Sequence, residues 1–197
     1  MFEYSPPETL RIGGREYPVR TDFRDVLRYD RILKGDPGDG SLLEEALRFM
    51  LGVLPDDAAG AVDQLNWFVR CGDGEEKRHR PSPKLLGVNC EKPMDYGLDA
   101  RLIWSAFRRV YQIDLRQTRY LHWWDFQAML EELPEDVRLN RVIRYRTIDT
   151  RNRNLSREER ALYEALQRYY RIREVPTERQ ERIAEALRNG EDPAPYL

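Results

Sequence analysis

The sequence is poor in the residues that build most catalytic and metal centres. Its 197 residues include two histidines, His79 and His122, and two cysteines, Cys71 and Cys90. Two thiols cannot form a disulfide framework, so a reducing compartment is expected. Cys71, His79 and Cys90 lie eight and eleven residues apart, with no CxxC pair. Structural zinc sites use closely spaced ligand pairs. The reading is two ordinary thiols and a solvated histidine, with no metal or cofactor expected. No GxGxxG or GxxxxGK phosphate loop occurs, and no GxSxG or HExxH signature. Gly13-Gly14 and Gly72-Asp73-Gly74 therefore read as turns. No apolar run approaches the roughly 20 residues of a membrane span. The opening "MFEYSPPETLRIGG" lacks the apolar stretch of an export signal. A soluble, cytoplasmic, non-enzymatic protein is expected.

A charge excess is also missing. Basic residues number 33 and acidic residues 35, a net −2. Such a balance gives no global attraction to nucleic acid or anionic membranes. Only four of the cations are lysines, leaving 29 arginines. Arginine clusters can mark bidentate phosphate or carboxylate recognition. Here they are spread along the chain and read as background composition.

What is present suits a helical core. The chain is 41% hydrophobic and 35% charged. "TLRIGGREYPVR", residues 9–20, places two short alternating runs around Gly13-Gly14, a two-residue hairpin signal. Pro18 puts the second run on a sheet edge. Thr21 or Asp22 caps a helix that stops at Gly35, and "DPGDG" is a turn. Ser41 and Glu44 form a capping box for a second helix reaching "GVL". Pro55 opens a third, with Asp56 and Asp57 at its positive end, running to about Cys71. Residues 72–96 lose periodicity and read as a long mobile loop. From Leu98 a strong helical pattern returns. Leu102, Ile103, Trp104, Ala106, Phe107, Val110 and Tyr111 cover one face, and Arg101, Ser105, Arg108, Arg109 and Gln112 the other. Pro134 starts a further helix, Ser156 and Glu159 cap the next, and the last runs from Thr177 to about Leu187 before Asn189-Gly190. Its sparse apolar residues are Ile183, Ala184 and Leu187.

The expected fold is mainly α: a helical bundle with an N-terminal β-hairpin packed on it. Residues 1–175 form a single domain, and 176–197 a C-terminal helix and tail. The expected core is Phe23, Leu27, Leu47, Met50, Leu65, Phe68, Ile103, Phe107, Trp123, Phe126, Leu130 and Ile143.

Two stretches bear on function. In "LHWWDFQAMLEEL", read as a helix over 121–133, His122, Phe126, Met129 and Leu133 form one stripe with Trp123 beside it. Trp124 points away, so the two tryptophans cannot make one ligand platform; Trp124 faces a second neighbour or solvent. Catalysis by His122 and Asp125 would need a nucleophile or metal partner. None is identifiable, so His122 reads as structural. Between Arg138 and Arg153 stand six arginines and one acid, a local charge of +5. Arg138, Arg141 and Arg144 share one helix side and are candidates for partner or phosphate contact. The acids Glu131, Glu132, Glu135 and Asp136 just upstream favour a solvated, paired face instead. Arg146 falls on the apolar side and needs a buried acidic partner, Asp99 or Asp114. Trp124, Arg138, Arg141 and Arg144 are thus the candidate partner-binding residues.

Four motifs, "LRIGGREYPVRTDFRDVLRYDRIL", "DYGLDARLIWSAFRRVYQIDL", "LHWWDFQAMLEELPED" and "VIRYRTID", occur in order over about residues 9–150. Together they resemble the bacteriophage gene-product-fifteen family of siphophage and prophage tail modules. "NWFVRCG" fits that family's middle segment. The resemblance implies tail morphogenesis in the host bacterial cytoplasm. It suggests an assembly chaperone or adaptor acting with the tape-measure protein or the tail tube protein, and it brings no catalytic residues. The alternatives are a structural component of the tail and a nucleic-acid binder using Arg138–Arg153, although no nucleic acid is expected as partner. Homo-oligomerisation is left open.

Overall fold

The computed structural model describes residues 4–34, 41–72, 93–172, 178–192 and 194. Among them are two strands and eight helices, so the chain is mainly helical with a small N-terminal hairpin. They divide into two compact units. One is Pro7–Leu65 with Arg173–Leu197, the other Met1–Pro6 with Asn66–Ile172.

In the first unit, β1 (Thr9–Ile12) pairs antiparallel with β2 (Arg15–Pro18). Gly13 and Gly14 turn the chain at φ 54° and 81°, which Gly adopts without a Cβ clash. Pro18 has no N–H to donate, and a two-stranded sheet has only edge strands. Along β1 burial alternates, with Leu10 and Ile12 inside. Helix α1 (Phe23–Leu33) starts at Asp22, whose carboxylate accepts the Arg24 N–H at 2.9 Å. Its buried stripe is Phe23, Val26 and Tyr29, and it packs on α2 (Ser41–Leu51). Burial pushes the Tyr29 phenol up from its ordinary pKa, since the charged form is poorly hydrated. After β2, the Arg20 N–H donates to the Met50 carbonyl at 3.0 Å, satisfying an end of α2.

Several helix ends depart from expectation. Helix α2 takes in Ser41 as its first residue, and Gly35 and the expected 36–40 turn lie outside the described residues. The helix ends at Leu51, where Gly52 at φ 77° reverses the chain before "VL". Helix α3 (Ala58–Val69) is capped by Asp57, not opened by Pro55: the Asp57 carboxylate accepts the Gly60 N–H at 2.8 Å. A side-chain acceptor one residue before the helix outweighs a proline that merely tolerates the first turn. The unit boundary lies within α3. Leu27, expected in the core, is half-buried, because the stripe rotates toward Val26. Helix α8 (Glu178–Asn189) ends at Gly190, φ 72°, as expected. Among its described side chains Ala186 is buried, whereas Leu187 is exposed.

In the second unit, α4 (Ala100–Tyr111) buries Ile103, Ala106 and Phe107 and exposes Arg101, Ser105, Arg108, Arg109 and Gln112. Helix α5 (Trp123–Glu131) buries Trp123, Phe126 and Leu130. Phe126 stacks on Phe107 at 5.1 Å and on Trp123 at 5.7 Å. Such offset ring pairs add to simple area burial. Helix α6 (Arg138–Thr147) begins after Val137 rather than at Pro134. Residues 134–137 form a turn, held by the Asn140 amide donating to the Leu133 and Pro134 carbonyls. It buries Leu139 and Val142, leaving Ile143 half-buried, again one residue from expectation. Helix α7 (Arg157–Tyr170) packs on α6 and carries the expected capping box: Ser156 and Glu159 bond reciprocally. The expected loop over 72–96 is described only at residue 72 and from residue 93 onward.

Candidate partner-binding surfaces

The histidine–tryptophan string closes the end of α3. The last carbonyls of a helix have no partner within it. Here Asn66 and Trp67 carbonyls accept the Arg70 and Gly72 N–H groups, and the Phe68 carbonyl accepts from Cys71. The Trp124 indole N–H also donates to Phe68, and the Trp123 indole N–H to Val69, each at 2.9 Å. Adjacent tryptophans therefore bind adjacent carbonyls. Trp124 is half-buried, edge-on to Trp67 at 5.5 Å. A Cβ on Gly72, φ 75°, would sit 2.8 Å from its ring. Trp124 thus packs against its own chain on the side away from the Phe126 stripe. His122 is the N-cap of α5: its buried ring accepts the Trp124 N–H through Nδ1 at 3.0 Å.

Arg146 is the central cation of this unit. Its Nη1 and Nη2 donate to both Asp99 oxygens at 2.7 and 2.9 Å. Nε donates to the Tyr170 carbonyl at 2.6 Å and Nη1 to the Pro93 carbonyl at 3.1 Å. Of the two expected acids, Asp99 is the partner. Asp114 instead accepts from the Trp104 indole and from Arg108 and Arg116. The Arg116 side-chain hydrogen bond leads in holding the Asp114 carboxyl well below the usual carboxylate range.

Arg138, Arg141 and Arg144 are exposed and make no ion pair among the described residues. The expected pairing with the upstream acids is not formed. Asp136 reaches across to Arg109 on α4 instead, at 2.7 Å. An arginine ridge with unneutralised charge therefore lies along α6.

A second basic surface escaped sequence reasoning. On α1, Arg24, Arg28 and Arg31 border an open groove of about 580 Å³ with Leu27 and Ile32. Arg24 is tied to Asp22, and Arg28 lies over the Phe49 ring at 4.7 Å. Arg28 and Arg31 have no acidic partner among the described residues. The spacing of Leu27, Arg28, Arg31 and Ile32 is visible in the sequence, but reading Leu27 as core hides the groove.

Among the described residues, no three or more His, Cys, Asp and Glu side chains are grouped to hold a metal ion. No helix there is long and apolar enough to cross a membrane. Cys71 has a described place at the end of α3, whereas His79 and Cys90 lie outside the described residues.

No curated protein and no solved structure matches the chain. The family model described as Bacteriophage Gp15 protein matches residues 6–172, which takes in the hairpin, the tryptophan seam, the Asp99–Arg146 pair and α7. The chain therefore belongs to the bacteriophage Gp15 protein family.

Proposed function

We propose that this phage protein is a non-enzymatic tail morphogenesis factor, a tail assembly chaperone or adaptor that acts with the tape-measure protein in the host cytoplasm. Family membership supports a phage role, and the α1 groove is the observation that carries the chaperone reading. Half-buried Leu27 and Ile32 supply an apolar floor, and Arg28 and Arg31 a cationic rim. A groove of this kind suits an amphipathic helix, its apolar face on the floor and acidic side chains against the rim. The test is co-expression with the tape-measure protein of the same gene cluster, followed by co-purification. Leu27→Asp with Arg28→Glu should abolish recovery of the partner while the fold persists. Unchanged recovery would remove the groove from the reading, and absence of any complex would remove the chaperone role. A protein retained in purified virions by mass spectrometry would instead be a structural tail component.

A second reading is favoured by one observation, the unpaired Arg138, Arg141 and Arg144 on α6. These could neutralise phosphates of a nucleic acid. Binding would then weaken steeply with salt, and a gel shift at two salt concentrations tests it.

A further inference from the structure

Helix α7 is unusual among the described helices in its exposure. It has no buried residue over 14 positions, and Leu162 and Tyr169 are 57% and 80% exposed. One edge is fixed to the unit: the Gln167 amide donates to the Ile148 carbonyl at 2.7 Å, and Tyr170 stacks on Tyr145. The other edge is an open stripe. Glu158, Leu162, Ala165 and Tyr169 follow i, i+4, i+7, i+11 spacing and so share one face. All four are exposed.

The charges bounding this stripe make no ion pair among the described residues. Glu158 at its start and Arg168 near its end are exposed and unpaired among the described residues. Ten helical residues separate them, about 15 Å at 1.5 Å per residue, so they cannot pair within one helix. The stripe is, however, symmetric about the midpoint between Leu162 and Ala165. Setting a second copy antiparallel places Leu162 against Ala165 of that copy. It also places Glu158 against the second copy's Tyr169 and beside its Arg168. The same contact then occurs twice, as a two-fold interface requires. Antiparallel helices also oppose their macrodipoles favourably.

We propose that the outer face of α7 is a homodimer surface, in which α7 packs antiparallel on α7 of a second copy. Leu162 and Ala165 form its apolar centre, and Tyr169 with the Glu158–Arg168 pair closes each end. A helix of this length covers about 21 Å, so the interface is small and the dimer forms and dissociates with concentration. The inference stands independently of the chaperone reading.

Sedimentation velocity of the full chain, from low to high micromolar concentration, tests it. The expected result is a monomer–dimer equilibrium that Leu162→Glu shifts to monomer throughout. Glu158→Arg and Arg168→Glu should each weaken dimerisation about tenfold, because a two-fold interface carries each change twice. The double variant restores opposite charges and should return to within about threefold of the original. Circular dichroism should show all four variants folded, since every changed side chain is exposed. A wild-type chain monomeric at every concentration would overturn the proposal. So would a dimer indifferent to Leu162→Glu, or a double variant no better than the singles.

Discussion

Replacing Arg146 by Met should be among the most damaging single changes in the second unit. The side chains of Arg146 and Asp99 are only 9% and 3% exposed. The guanidinium serves four acceptor atoms: both Asp99 oxygens and the Tyr170 and Pro93 carbonyls. Without it, Asp99 keeps a desolvated charge, with the Asp95 N–H at 3.0 Å as its remaining donor among the described residues. Orphaning one half of a buried pair costs about 3–5 kcal/mol. Total stability of a folded chain is about 5–15 kcal/mol. At about 2–4 °C per kcal/mol for this size, the midpoint should fall by roughly 6–20 °C. Urea and thermal unfolding followed by circular dichroism measure the loss. The decisive comparison is Arg146→Met combined with Asp99→Leu. With no charge left buried, the double variant should be more stable than Arg146→Met alone. A single-variant loss below about 1 kcal/mol, the range of a surface pair, would refute the reasoning. So would a double-variant loss equal to the sum of the two singles.

Two further outcomes are expected. Trp123→Phe removes the indole donor to the Val69 carbonyl and should cost about 1–3 kcal/mol. Trp124→Phe should cost less, because the Phe68 carbonyl still accepts from Cys71; equal urea midpoints for the two variants would contradict this assignment. Asp114 titrates below its unfolded value of about 3.9, so its contribution is fully present above that pH. It is lost as pH falls toward the lower folded value. Asp114→Asn should therefore lower the urea midpoint at pH 7 and flatten its decline below about pH 4, and parallel wild-type and variant profiles would argue against the role.

Local chemistry was legible in the sequence wherever a few neighbouring residues settle the outcome. Gly13-Gly14 specifies its own turn, and Ser156 with Glu159 its own capping box. Arg146 was legible for a different reason: a cation on an apolar helix face must find an acid, and few acids lay on inner faces. Periodicity was less exact. It identifies a helix face but not the residue at its centre, so Leu27 and Ile143 were placed inside in place of Val26 and Val142. Pro134 and Pro55 were misread as helix starts because proline permits a first turn without requiring one. The tryptophan seam was illegible as a whole. Trp123 and Trp124 lie 54 and 56 residues from the carbonyls they bind, and only tertiary packing brings a capping donor that far. Of the candidate residues, Arg138, Arg141 and Arg144 were correctly placed on one exposed side, but the pairing expected for them was not, because Asp136 goes to Arg109.

The tryptophan positions have a practical consequence. All four, Trp67, Trp104, Trp123 and Trp124, fall within Asn66–Ile172, and none within Pro7–Leu65 or Arg173–Leu197. Indole emission therefore watches one unit and is blind to the other, whereas far-ultraviolet ellipticity sums helices from both. Overlaying the two melting curves counts the cooperative blocks of the molecule directly: one shared transition means a single block, and two offset transitions mean that each half melts on its own.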